Sequence, residues 1–468
     1  MAIRSVLGMQ GLQSPEATPA PLSRMPDAAA SRPKRSNVTL ADALAEAKAA
    51  FVAANPESRA RFGAAARVMP GGNTRTVLFY DPFPLCIARG EGARLWDVDG
   101  HEYIDFLGEF SAGIFGHSHP AIRAAIAAAL AGGINLSGHN RPEAELAAIV
   151  CARFPSIELV RFTNSGTEAN LLALSAAIAH TGRRKILVFE GAYHGGVLSF
   201  GKGPAPVNVP HDFVMAPYND LARTEALIRT HGNALAAILV EPMLGAGGCI
   251  PGEPAFLAGL REAATRVGAV LIFDEVMTSR LSPGGRQGEI GIRPDMTTLG
   301  KYIGGGSSFG AFGGKAEIMR RFDPREPGAL THAGTFNNNV LSMAAGIAGM
   351  TQVLTPAALA GLNARGTQLR DALNAMFRRN GANLQATGLG SLLSLHATER
   401  AIRNPDDAAD ANPAIKDLVF FDLIARGFYL ARRGYMALSL SIGDAETAAL
   451  VAALDDIIRT RGSLVGCD

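Results

Sequence analysis

The chain has 468 residues, 48% hydrophobic and 18% charged, with a formal net charge of +2. That length supports a sizeable core, and the near-balance of charge gives no general attraction to nucleic acid or to a membrane surface. Four cysteines, Cys86, Cys151, Cys249 and Cys467, lie far apart without a C-x-x-C pair. This argues against a disulfide framework or a zinc knuckle.

Residues 1–37 are rich in Pro, Ala and Ser, carry a basic RPKR run at 32–35, and read as a disordered leader. A helix is expected from Thr39, whose hydroxyl stands as an N-cap before a run of helix formers, and a second over 56–68. Short apolar stretches at 85–88, 93–96 and 102–105, separated by glycine-bearing turns, read as a small antiparallel meander. A glycine-rich loop over 111–120 and an alanine-rich helix over 121–131 follow.

From about 143 to 314 strands and helices alternate. Apolar runs at 159–162, 185–189, 237–240 and 270–273 read as buried parallel strands, with helical patterns over 168–180, 221–231 and 254–267 between them. This predicts an α/β architecture, an open and mostly parallel sheet with helices on both faces. Ligands of such sheets bind beyond the carboxyl ends of the strands. After 339 come a helix over 340–354, strands near 391–396 and 434–439, and a closing helix over 446–459. The expected division is a small-domain segment over 38–110, a large ligand-binding domain over 111–345, and a C-terminal α+β small domain over 346–468. No apolar run reaches the length of a membrane span, so a cytoplasmic protein is the default.

The residues after each strand carry the chemistry. The first strand leads into Ser165-Gly166-Thr167 at a helix start, where free N–H groups, two hydroxyls and the helix dipole suit a phosphate; ordinary capping is the alternative. Tyr193, between glycines after the second strand, suits stacking on a flat ring or simply filling a loop. The third strand ends in Glu241, a carboxylate that orients groups in the site or faces water. Asp274 follows four apolar residues, where a lone carboxylate is costly and needs a cation or strong donors. Lys301 stands where the apolar run 296–299 gives way to glycines, and an ammonium desolvated there becomes a better amine nucleophile. A reactive amine, a carboxylate for a ring nitrogen, a stacking aromatic and a phosphate site together describe pyridoxal phosphate. There is no P-loop and no dinucleotide fingerprint, and His117-Ser118-His119 lacks a third ligand, so no metal is expected.

With these motifs in hand (NSGTEAN, YHG, EP, FDEV, LGKYIGGG and GTFNNN), the chain resembles the class III, fold type I, pyridoxal phosphate-dependent aminotransferases, in the branch that includes glutamate-1-semialdehyde aminomutase. Within that branch it is most similar to β-phenylalanine (β-amino acid) aminotransferases, through the stretch 73–80, GGINLSGHN, EVMTSRLSP and Arg433-Gly434-Tyr435. The resemblance implies that Lys301 forms the Schiff base, that Asp274 binds the pyridine nitrogen, and that Val276 and Tyr193 pack on opposite faces of the ring. It implies that Ser165, Gly166 and Thr167 hold the phosphate, and that Thr335 reaches the phosphate of a neighbouring subunit in a homodimer. Arg75 and Arg433 are the expected carboxylate anchors, because arginine binds carboxylate in a planar, bidentate way. Glu241 is placed with them at the substrate end. The expected reaction moves an amine from a β-amino acid to 2-oxoglutarate or pyruvate; the alternative is glutamate-1-semialdehyde 2,1-aminomutase.

Overall fold

The computed structural model describes residues 39–409 and 411–466, so the leader expected over 1–37 lies outside the described residues. The apolar runs form a seven-stranded sheet. Its order is Leu159–Thr163, Gly310–Gly314, Met296–Gly300, Val270–Asp274, Leu235–Val240, Lys185–Phe189 and Asp212–Ala216. Every residue of Leu235–Val240, Val270–Asp274 and Met296–Gly300 is buried. Successive side chains point to opposite faces, so both faces of the sheet must be covered. The helices Gly166–Thr181, Leu221–His231 and Pro254–Val267 supply much of that cover.

The apolar-run criterion misses two strands. Gly310–Gly314 is the one strand antiparallel to its neighbours, and its glycines read as loop. They are required by close packing, since a Cβ on Gly310 would collide with the Ser165 carbonyl and one on Gly314 with that of Asp295. Asp212–Ala216 is an edge strand with only alternate residues buried, too short an apolar signal to register.

The N-terminal meander forms as expected, except that its first strand starts at Ile87 instead of Leu85. The backbone N–H groups of Leu85 and Cys86 are spent on the Tyr80 hydroxyl and Ser58 Oγ, not on a ladder. The meander gains a fourth strand from the far end of the chain, Phe428–Tyr429, which runs parallel to Glu102–Asp105. The segment after 354 is more helical than its sequence suggests, with Pro356–Arg379 and Pro413–Ile424 flanking the three-stranded sheet of Gln385–Leu389, Leu392–His396 and Tyr435–Ala437. Residues from Thr39 onward form one compact unit. Among the described residues no single helix is long and apolar enough to cross a membrane.

Register brings the strand ends together. Asp274 pairs with Thr298, which sets Lys301 just past it, and Val240 pairs with Phe273, which sets Glu241 beside Asp274. The turns at 164–167 and 190–196 leave the same edge of the sheet, as a parallel arrangement dictates.

Candidate active site

Lys301 follows the buried Met296–Gly300 strand and takes a left-handed backbone, φ 57°. A non-glycine residue held there costs roughly 1–3 kcal/mol, a strain that concentrates at functional positions. Its Nζ donates to the Phe110 carbonyl at 2.6 Å. Burial brings the Lys301 pKa down to about 8; Asp274 and Glu109 pull it back up, while Arg75 and Arg433 push it further down. Both expected anchors therefore lie within electrostatic reach of the lysine.

Asp274 is 5% exposed, as the apolar run before it demands. Its Oδ2 accepts from His194 Nδ1 at 2.8 Å and Asn170 Nδ2 at 2.9 Å, and its Oδ1 accepts from the Val276 N–H at 3.0 Å. Hydrogen bonds to a charged group contribute about 1.5–3 kcal/mol each, so three donors offset much of the cost of burying a carboxylate. Asn170 is itself fixed, because its amide oxygen accepts from Thr298 Oγ1 at 2.7 Å. His194 Nε2 is buried and has no hydrogen-bond partner among the described residues.

Ser165 caps the Gly166–Thr181 helix, its hydroxyl accepting from the Glu168 N–H at 3.2 Å. The amides of a first helical turn have no partner within the helix. Three glycines let the walls close. A Cβ on Gly166 would lie 2.9 Å from Val276 Cγ2, one on Gly300 would lie 3.3 Å from Val276 Cγ1, and one on Gly195, at φ 129°, would collide with Thr167 Oγ1. The Thr167 hydroxyl accepts from the Gly196 N–H at 3.2 Å, tying the two turns together. Tyr193 is 48% exposed beside this cradle. An amine, a buried acid held by three donors, an apolar wall at Val276 and an amide-rich turn thus converge, and they fit a flat, phosphorylated pyridine aldehyde.

At the substrate end, Arg75 and Arg433 lie over Phe110, 5.3 and 5.5 Å from its ring centre. Arg433 also lies 5.8 Å from the ring centre of Tyr435, which stacks on Phe110 with an interplanar angle of 10°. The neighbouring Arg432 is turned away, bound to Asp417 Oδ1 and Oδ2 at 2.9 and 3.0 Å.

The structure brings together Lys301, Asp274, Val276, Tyr193 and the 165–167 turn, with Arg75 and Arg433 nearby. Glu241 takes a different place from the one expected at the substrate end. It is 4% exposed, and its two oxygens accept from the N–H groups of Gly245 at 2.9 Å and Tyr193 at 2.8 Å, so it holds the tyrosine turn. Burial pushes its pKa up to about 7, held back by His194. Thr335 is exposed in the loop before the Val340–Ala348 helix and is not joined to the other cofactor residues by a hydrogen bond. Sequence reasoning missed Asn170 and His194, although both stand in motifs it quoted. A polar residue on an otherwise apolar helix must find a partner, and that signal was available for Asn170. Phe110 and Glu109 carried no signal.

Over residues 79–458 the chain matches the aminotransferase class-III family. It is 56% identical to the beta-phenylalanine transaminase of Variovorax paradoxus over 423 residues, 90% of this chain and 97% of that protein. The crystal structure of a β-phenylalanine aminotransferase from Variovorax paradoxus is similar at a TM-score of 0.90 and 55% identity, covering 92% of this chain and 99% of that one. A glutamate-1-semialdehyde 2,1-aminomutase of Sorangium cellulosum is 38% identical over 404 residues, 82% of this chain and 92% of that protein.

Proposed function

The chain belongs to the class III aminotransferases, and from that premise we propose that its donor is a β-amino acid such as β-phenylalanine and its acceptor a keto acid, 2-oxoglutarate or pyruvate. It is a pyridoxal phosphate-dependent transaminase. The observation that carries the substrate reading is the pair of guanidiniums, Arg75 and Arg433, on the ring of Phe110, whose carbonyl receives Lys301.

When bound, pyridoxal phosphate supplies an electron sink for the carbon that carries the amine. Asp274, oriented by three donors, would hold a proton on the ring nitrogen. The amides of the 165–167 turn and the Ser165 and Thr167 side chains would hold the phosphate at the positive end of the helix dipole. Val276 and Tyr193 would pack against the ring. Lys301, with its lowered pKa, would attach the cofactor through its amine and would serve as general base for the proton on the amine-bearing carbon.

In a β-amino acid the carboxylate sits one carbon further from the reacting carbon than in an α-amino acid. Anchors set beyond Phe110 suit that displacement, and Phe110 with Tyr435 offers apolar surface to an aryl group. Two arginines let one pocket accept the donor's single carboxylate and the two of 2-oxoglutarate in turn. Thr335 completes the phosphate site of a partner subunit in a cytoplasmic homodimer.

A donor and acceptor panel tests the reading. Beyond one equivalent per site, holoenzyme should consume β-phenylalanine only when a keto acid is supplied, forming the matching α-amino acid in equal amount. Isomerisation of glutamate-1-semialdehyde without any keto acid would instead make it an aminomutase.

A further inference from the structure

Gly108, Glu109, Phe110 and Ser111 form four successive residues of left-handed backbone, with φ of 54°, 46°, 51° and 77°. Only the glycine adopts that region without strain, so the surroundings must hold the other three. Asp105 Oδ1 accepts from the N–H groups of Leu107 at 2.8 Å and Gly108 at 3.1 Å. Phe106 is bound through its N–H to the Tyr429 carbonyl and through its carbonyl to the Ala437 N–H, each at 2.8 Å. Beyond the turn, the fully buried guanidinium of Arg280 donates to the Ser111 carbonyl at 3.4 Å. The turn held in this way aims two adjacent residues at the site. Phe110 presents its carbonyl to Lys301, and Glu109 Oε1 accepts from Arg75 Nη1.

Arg433, the other guanidinium on Phe110, has no carboxylate partner among the described residues. Arg75 does have one, supplied by the chain itself. We infer that Glu109 is an internal stand-in for the substrate carboxylate, occupying Arg75 while no carboxylated substrate is bound and yielding it when one arrives. This deepens the substrate reading above and rests on Arg75 being a carboxylate anchor.

The exposure of the pair is what makes exchange feasible. The side chains of Arg75 and Glu109 are 42% and 55% exposed, and ion pairs that water can reach are weak and readily traded. A buried pair would resist, because removing one partner strands the other's charge. Glu109 also answers a charge problem. With no substrate bound, Arg75 and Arg433 place two guanidiniums over one ring, and Glu109 supplies a carboxylate to one of them. A transaminase empties and refills its pocket twice in each cycle, so an exchangeable carboxylate keeps Arg75 oriented between substrates. The consequence is weaker binding, since the fraction of time the pair is closed raises the apparent Kd of every carboxylate that needs Arg75.

The probe is 3-phenylpropionate, which has the carbon skeleton and carboxylate of β-phenylalanine but no amine, titrated calorimetrically into holoenzyme without turnover. Its neutral amide, 3-phenylpropanamide, is the control. Glu109→Gln should bind the acid about two- to fivefold more tightly than the wild type and leave the amide unchanged, the range expected from removing one exposed competing charge. In an Arg75→Ala background the same change should alter neither. Unchanged or weaker binding of the acid in Glu109→Gln would overturn the inference. So would an equal gain for the amide, or a gain that persists without Arg75. Because the readout needs no chemistry, a wild-type enzyme that fails to transaminate β-phenylalanine would remove the donor assignment and leave the role of Glu109 to be decided by these titrations.

Discussion

Lys301 combines a strained backbone with a desolvated amine, and both follow from its position one residue beyond a fully buried strand. Its pKa of about 8 against an ordinary lysine near 10.4 fixes a sign. Between those values the unfolded chain binds more protons than the folded one, so the stability of cofactor-free protein rises with pH across that window and is lowest below about 8. The same shift sets reactivity. Competitive acylation of the cofactor-free protein, read by peptide mass spectrometry, should give Lys301 a midpoint near about 8, and a midpoint near 10 would show that the amine is not desolvated. Lys301 and Asp274 were legible in the sequence because a charge closing an apolar run has to be accounted for. Glu109 and Phe110 were not. Left-handed backbone at three non-glycine residues has no sequence signature, and the lysine that Phe110 meets is 191 positions away.

At the scale of elements, the site depends on strands that differ in how openly they announce themselves. Val270–Asp274 and Leu235–Val240 are continuous apolar runs, and their ends could be read directly. Gly310–Gly314 hides behind its glycines, yet it lies between Leu159–Thr163, which leads into the 165–167 turn, and Met296–Gly300, which leads into Lys301. A Cβ on Gly310 would meet both the Ser165 carbonyl and Thr163 Oγ1, so Gly310→Ala must displace the turn that starts the Gly166–Thr181 helix. Overpacking of this kind costs about 1–3 kcal/mol. The expected result is a lowered Tm together with weaker cofactor binding in equilibrium titration. Full cofactor affinity in a destabilised variant would separate the strand from the site. His396 gives a second check. Burial lowers its pKa to about 4, so it stays neutral in the fold where the unfolded chain would be protonated. Stability should therefore fall as pH drops from about 6.5 to 4, and His396→Gln should flatten that part of the curve.

Across the whole molecule, the cofactor end and the substrate end are built differently. Strand ends of the large sheet place Lys301, Asp274 and the 165–167 turn, and that is why strand ends in the sequence were enough to find them. The substrate end is assembled from both extremities, with Arg75 from the N-terminal segment and Arg433 from the C-terminal one, joined where Phe428–Tyr429 pairs with Glu102–Asp105. No local pattern reports that meeting, so the choice of substrate was less visible than the choice of cofactor. The central claim is a transamination in two separable halves, with a β-amino acid as donor. Mixing holoenzyme with β-phenylalanine alone should bleach its visible absorbance, release one equivalent of keto product per site, and stop. Adding 2-oxoglutarate should then restore the absorbance with formation of one equivalent of glutamate. Absorbance that never responds to β-phenylalanine, or turnover that continues without an acceptor, would contradict the account.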